Sequence, residues 1–312
     1  MDMHEGIAQR LAKQRVLVLD GALATELEAR GCCIDDALWS AKILLEDPAQ
    51  IEAVHYDYFA AGAQIGTSAS YQATLEGFER RGLSRHDATA LIALSVELVR
   101  RAAQRYWREV GAASGQPMPL VAASVGPYGA YLADGSEYRG DYAIGESELV
   151  AFHLPRMRIL SQAGADLFAC ETIPCLCEAR AMVRAIAQMG GFPCWISFSC
   201  QNGTQISDGT PIAQCAEALD GVDFIQAIGV NCTAPEHIGS LIRILKAHTQ
   251  KPIVVYGNSG EVYDPVQKRW LGSPSGRSYA DWAREWIELG AQLVGGCCRT
   301  TPADIAQIRR MV

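Results

Sequence analysis

Gln292-Leu293-Val294-Gly295-Gly296-Cys297-Cys298-Arg299-Thr300-Thr301-Pro302 is the stretch on which the reading of this chain turns. A short apolar run ends in two glycines and two adjacent thiols, and a proline follows where the first turn of a helix accommodates it. The pattern predicts a strand that carries thiols at its C-terminal end and passes at once into a helix. The arrangement occurs a second time, where residues 224–230 form a strand-like run followed by Asn231-Cys232-Thr233-Ala234-Pro235.

Working outward from these two places, short apolar runs recur at 16–20, 64–70, 120–125, 166–171, 194–199, 224–230, 253–256 and 292–296. Segments with helical spacing of apolar residues separate them, among them 21–30, 48–62, 86–108, 146–164, 177–189, 235–248, 279–290 and 302–311. Three helix exits use one device, Gly62-Ala63-Gln64, Gly164-Ala165-Asp166 and Gly290-Ala291-Gln292. In each, a glycine supplies the left-handed cap and the next strand starts directly. Eight strand-helix units of one composition predict an α/β fold, a (β/α)8 TIM-type barrel occupying residues 1–312 as a single domain. An open, doubly wound parallel sheet is the alternative that periodicity alone leaves standing. Two irregular stretches, 126–145 and 258–278, follow strand C-terminal ends, which is where barrels build their sites.

Composition narrows the function. Hydrophobic residues make up 49% of the chain and charged residues 20%, which excludes disorder. The formal charge of -8, with no basic cluster, argues against nucleic acid or an anionic membrane surface as partner, and favours small molecules. The N-terminus lacks the apolar centre of an export signal, and no run of about eighteen apolar residues occurs, so a cytoplasmic protein is expected. The cysteine count of eleven is odd, and reduced thiols fit it better than a disulfide framework. Oligomeric state has no signal in the sequence.

In a parallel barrel, Cys232 after the sixth strand and Cys297-Cys298 after the eighth project at one face. Thiolates suit zinc, and three protein ligands with one open position describe a catalytic site rather than a closed structural one. The remaining cysteines, including the Cys32-Cys33 doublet, read as ordinary small hydrophobes or loop residues. His4, His55, His86, His153 and His248 fall in helical or terminal contexts, His237 near the helix start after Cys232 reads as a surface residue, and none is expected to ligate. Asn231 precedes the first thiol and Asn258 follows the seventh strand. Their amides are candidates for binding a substrate carboxylate or orienting a thiolate, with turn formation as the other role.

With these motifs set out, the chain resembles the homocysteine S-methyltransferase family, through Gly295-Gly296-Cys297-Cys298-Arg299-Thr300-Thr301-Pro302, Gly229-Val230-Asn231-Cys232, Leu19-Asp20-Gly21-Ala22 and Ala169-Cys170-Glu171-Thr172. Within the family it looks most similar to the bacterial and plant enzymes that use S-methylmethionine, through Ser70-Tyr71-Gln72-Ala73-Thr74, the run from Ser124 to Tyr131 and Asp134-Gly135-Ser136-Glu137-Tyr138-Arg139-Gly140. The resemblance implies a zinc held by Cys232, Cys297 and Cys298, with the homocysteine sulfur as fourth ligand. It also implies that Asp20 and Glu171 hold the amino-acid part of homocysteine.

The expected reaction is methyl transfer from S-methylmethionine, with S-adenosylmethionine as a second candidate donor, to give methionine. A sulfonium donor can be cradled by aromatic faces, and Trp39, Tyr71, Tyr128 and Tyr131 are the candidates, Tyr71 and Tyr128 foremost. Selenocysteine as acceptor and betaine as donor are variants of the same chemistry. A non-catalytic zinc or thiol-redox protein is the reading from a different class.

Overall fold

The computed structural model describes residues 5–33, 40–260, 262–264, 269–271 and 276–312. Its strands are β1 (Leu17–Val18), β2 (Ile65–Thr67), β3 (Leu120–Val125), β4 (Leu167–Ile173), β5 (Cys194–Phe198), β6 (Ile225–Asn231), β7 (Ile253–Gly257), β8 (Val262–Asp264), β9 (Arg269–Leu271) and β10 (Leu293–Gly296). Eight of them pair in parallel in the order β1-β10-β7-β6-β5-β4-β3-β2. The ring is completed between β1 and β2 by the Leu19–Ile65 bridge, with Gln64 N–H donating to Val18 O at 2.7 Å and Asp20 N–H donating to Ile65 O at 3.1 Å. This is the expected (β/α)8 barrel, and the open sheet is excluded. The ladder assigned to β1 covers only part of the run 16–20, although Leu19 N–H still donates to Val294 O of β10 at 2.9 Å while Leu19 also bridges Ile65 of β2.

Alternate strand residues face two different interiors, as a period of two requires. Leu17, Leu19, Ile65, Ala122, Ala169, Trp195, Ala227, Val254 and Leu293 fill the barrel, while Val18, Val121, Ala123, Phe168, Ile196, Ile228 and Val294 pack beneath the helices. Burial on both faces explains why these strands read as unbroken apolar runs. Ile7, from an N-terminal helix Ile7–Leu11 beyond those expected, joins the inner cluster.

Helices follow the strands in turn, and prolines occupy the first turn of Pro48–Ala61, Pro235–His248 and Pro302–Arg309 as expected. Gly62, Gly164 and Gly290 have φ of 107°, 93° and 109°, the left-handed geometry that the three repeated exits required. Helix Ile212–Asp220 supplies the crossover between β5 and β6. The stretch after β3 contains a helix Tyr128–Leu132 and a 3-10 turn Ser136–Tyr138, and the stretch after β7 contains the antiparallel β8–β9 pair. Among the described residues no helix is long and apolar enough to cross a membrane.

Candidate metal and substrate site

A cavity opens at the C-terminal ends of the barrel strands, walled by residues from β2, β3, β4, β6, β7 and β10, by the segment 19–25 that follows β1 and by Tyr138. Its thiol wall is built by two tight turns. Gly296 lies so close to Thr300 that a Cβ would overlap the threonine Oγ1, and a Cβ at Gly295 would meet Leu19 Cβ at 2.5 Å. The double glycine is therefore what lets β10 lie against β1 and bend into the Cys297-Cys298 turn. Thr300 fastens that turn, its hydroxyl donating to Cys297 O at 2.7 Å and accepting from Ala22 N–H at 3.2 Å. Thr301 then caps the last helix through a reciprocal pair with Asp304.

Cys232 has φ 47°, a left-handed conformation unusual for a residue with a side chain, and Thr172 has φ 60°. Asn231 holds the second of these in place. Its Oδ1 accepts from Thr172 N–H at 2.7 Å and from Ser197 Oγ at 2.8 Å, and its Nδ2 donates to Thr172 Oγ1 at 2.8 Å. Ser197 in turn meets Tyr256 Oη at 2.7 Å, and Trp195 Nε1 donates to the same oxygen at 2.9 Å. The barrel interior thus ends in a polar floor of hydrogen-bonded groups beneath the cavity.

The Cys232 and Cys298 sulfurs are 3.8 Å apart, Cys297 and Cys298 are 4.0 Å apart, and all three lie within 4.8 Å of one another. A tetrahedral zinc with bonds of about 2.3 Å needs sulfurs about 3.8 Å apart, and the separations of Cys298 from Cys232 and from Cys297 match that edge. Among the described residues this is the one cluster of metal-ligating groups. Hydrogen bonds from Cys297 and Cys298 pull the Cys232 thiol well below its ordinary range, and the same bonds push Cys297 and Cys298 up. The Tyr138 hydroxyl approaches Cys232 Sγ at 3.3 Å, and the Asn258 side chain also helps hold the Cys232 thiol down.

Asp20, just after β1, and Glu171, on β4, face the cavity. Thr67 donates to Asp20 through its N–H at 2.7 Å and its hydroxyl at 3.1 Å, while burial pushes the carboxyl up to about 8. Ser124 donates to Glu171 Oε1, and burial lifts that carboxyl to about 7 against the hydrogen bonds of Ser124 and Tyr256. Among the described residues the cavity wall includes no lysine, arginine or histidine. Its ionisable wall groups are carboxyls, thiols and phenols, which suits a cationic ligand.

The expected residues are therefore only partly brought together. Cys232, Cys297, Cys298, Asp20, Glu171, Asn231 and Tyr71 line the cavity. Asn258 stands behind Cys232, with its N–H donating to Thr233 O at 3.1 Å. Tyr128 does not line the cavity. Its ring packs in a cluster with Tyr131, Tyr142 and Phe152 at centroid distances of 5.6, 5.3 and 5.0 Å, and the Arg80 guanidinium covers Tyr131 at 4.5 Å. Trp39 lies outside the described residues. Tyr138 and Tyr256 are wall residues that the sequence reading did not single out, although Tyr138 sits inside a quoted motif.

Comparison with known proteins agrees with this geometry. A model of the family described as homocysteine S-methyltransferase matches residues 17–312. A homocysteine S-methyltransferase of Bacillus subtilis is 56% identical over 94% of this chain and 93% of its own length, and one of Escherichia coli is 48% identical over 99% of both. A crystal structure of the Escherichia coli homocysteine methyltransferase in a metallated form superposes with a TM-score of 0.87 at 46% identity, covering 97% of this chain and 98% of that one.

Proposed function

Since the chain belongs to the homocysteine S-methyltransferase family, we propose that it transfers a methyl group from S-methylmethionine to homocysteine, with S-adenosylmethionine as a second donor. The observation that carries the reading is the trio of sulfurs at 3.8 and 4.0 Å on the wall of a cavity whose other ionisable groups are acids. Cys232, Cys297 and Cys298 would hold one zinc. When bound, zinc lowers the pKa of a coordinating thiol, so that the acceptor sulfur is a thiolate at neutral pH without a general base.

The chain's own groups do the positioning. Asp20 and Glu171 would receive the homocysteine ammonium group, and burial keeps their hydrogen-bonding oxygens out of competition with water. Tyr71 and Tyr138 present aromatic faces to a sulfonium, at which cation–π attraction operates. Asn231 holds Thr172 against the cavity floor, and Asn258 supports Cys232. Methyl transfer from sulfonium to thiolate neutralises charge, so the catalytic demand is collinear alignment of two sulfurs and one carbon rather than stabilisation of a new ion. We take residues 1–312 as one barrel domain acting in the cytoplasm, where ligating thiols stay reduced.

The test is methionine formation from homocysteine by zinc-loaded and chelator-treated protein, with S-methylmethionine, S-adenosylmethionine and betaine offered separately. Metal-dependent turnover with a sulfonium supports the reading. Turnover with betaine alone, or turnover that survives removal of the metal, counts against it.

A further inference from the structure

Tyr256, at the cavity end of β7, is held on several sides. Its backbone carbonyl accepts from Cys232 N–H at 3.1 Å, and its ring meets that of Trp195 edge-on with centroids 6.2 Å apart. The residue is buried and still lines the cavity. Its hydroxyl belongs to a chain of oxygens that runs from Glu171 through Tyr256 and Ser197 to Asn231.

This chain is one proton short. Asn231 can stand one way only, because Thr172 N–H donates to its Oδ1 and its Nδ2 donates to Thr172 Oγ1, and a flipped amide would set two N–H donors against each other. Oδ1 is therefore the atom that Ser197 Oγ meets at 2.8 Å, and it brings no proton. The Trp195 N–H is used in its own bond to Tyr256 Oη, and the Ser124 hydroxyl in its bond to Glu171 Oε1. Three oxygen–oxygen contacts remain, Glu171–Tyr256, Tyr256–Ser197 at 2.7 Å and Ser197–Asn231, and two hydroxyl protons serve them. If Tyr256 donates to Glu171, one of the two Ser197 contacts faces lone pair to lone pair. If Tyr256 and Ser197 donate in sequence towards Asn231, the Glu171–Tyr256 contact is the one without a proton. Glu171 and Tyr256 both line the cavity whereas Ser197 does not, so a ligand can complete the chain at the Glu171–Tyr256 end.

We propose that Tyr256 positions the substrate ammonium group, which donates to the Glu171 carboxylate and the Tyr256 phenol oxygen together while the phenol itself donates to Ser197. The inference rests on the reading above that Glu171 receives the homocysteine ammonium. A proton held on the carboxyl can close the gap in the empty site, and an ammonium group, with three N–H donors, closes it when the substrate binds. Tyr256 thus meets the ligand as an acceptor, a role that a carboxylate could not satisfy. With the ammonium in place every contact from Glu171 to Asn231 carries one proton, and the chain ends at the residue preceding Cys232. Recognition of the amino group is in this way tied to the turn that presents one of the thiols.

The experiment measures binding by calorimetry to zinc-loaded wild type and Tyr256→Phe, with three thiols as ligands. These are homocysteine, 4-sulfanylbutanoate, which lacks the amino group, and 3-aminopropane-1-thiol, which lacks the carboxylate. Loss of one hydrogen bond from a charged donor should raise the Kd of homocysteine and of the aminothiol by about tenfold. The Kd of 4-sulfanylbutanoate and the zinc content should stay as in wild type. Ser197→Ala gives the phenol proton back to Glu171, so it should weaken the same two ligands by a few-fold and spare the third; it decides the matter if Tyr256→Phe fails to fold. Equal weakening of all three thiols assigns Tyr256 a structural role only and overturns the inference. So does a loss confined to the thiols that carry a carboxylate, which would make the phenol a donor, and so does unchanged binding of homocysteine. Wild type that binds both amino thiols without methylating homocysteine strikes the proposed reaction and leaves the binding assignment to be judged by the variants.

Discussion

The Tyr138 hydroxyl lies 3.3 Å from Cys232 Sγ across 94 residues of chain. A phenol that donates to a thiolate draws charge from the sulfur and fixes the loop that bears it. Tyr138→Phe removes that bond and little else, so the protein should keep its full complement of metal. Its kcat/KM should drop about tenfold, the worth of one hydrogen bond to a charged group. Metal analysis together with steady-state kinetics checks this, and unaltered kinetics would show that the contact has no influence on the chemistry.

Gly296→Ala addresses the turn that presents two of the thiols. The added methyl overlaps Thr300, whose hydroxyl ties Cys297 O to Ala22 N–H. Overpacking of this kind costs about 1–3 kcal/mol. Denaturant unfolding should reveal that loss, and competition with a chelator should reveal weaker metal retention. A variant as stable and as well metallated as wild type would mean that the turn yields more easily than its packing implies.

The Asp20 carboxyl, raised by burial to about 8, makes stability pH-dependent. The unfolded chain releases this proton near pH 4, whereas the folded protein holds it up to about 8. The stabilisation is therefore complete below about pH 4 and is lost as pH rises through about 8. Glu171, raised to about 7, acts in the same direction. Asp20→Asn should flatten the decline in melting temperature of metal-free protein between about pH 5 and 9 and should raise the homocysteine KM. A slope identical to wild type would assign the titration to other groups.

Glu178 fastens the loop after β3 from behind. Its Oε1 accepts from Tyr128 N–H at 2.6 Å and meets His153 Nε2 at 2.8 Å, Tyr142 donates to Oε2, and Arg156 links His153 Nδ1 to Gly126 O. Burial lifts Glu178 to about 8, brings Arg156 down to about 10 and depresses His153. Glu178→Ala leaves these donors stranded and should cost about 3–5 kcal/mol by urea unfolding, with a rise in donor KM as the loop loosens. Glu178→Gln keeps an acceptor oxygen and should lose less. Equal stability of the alanine variant would dismiss the network as a fastening.

The barrel was readable because each strand is buried on both faces and each crossover carries its own punctuation. Val121 and Ala122 point to different interiors, yet both are apolar, so the strand appears as one run. Helix exits at Gly62 and Gly290 need positive φ, and glycine marks them in the sequence. The thiols were readable for a related reason, since Cys232, Cys297 and Cys298 follow strand ends and a parallel barrel gathers all its strand ends on one face. Tyr128 and Tyr138 were not separable in this way. They occupy one irregular loop, and turns with positive φ at Ala133 and Gly135 direct one ring into an aromatic cluster and the other towards Cys232.

By itself, the sequence determined the eight strand-helix units, the resemblance that names the family, and the identity of three thiols at strand ends. These are local properties, carried by periodicity, capping residues and motif. Only the tertiary structure decided that Cys298 stands about one zinc tetrahedron edge from each of the other two sulfurs, that Asn231 spends its amide on Thr172, and that Tyr138 rather than Tyr128 reaches the cavity wall. Those outcomes depend on how loops from distant strands close over a common face, and such contacts are set by packing across the barrel, which no local pattern encodes.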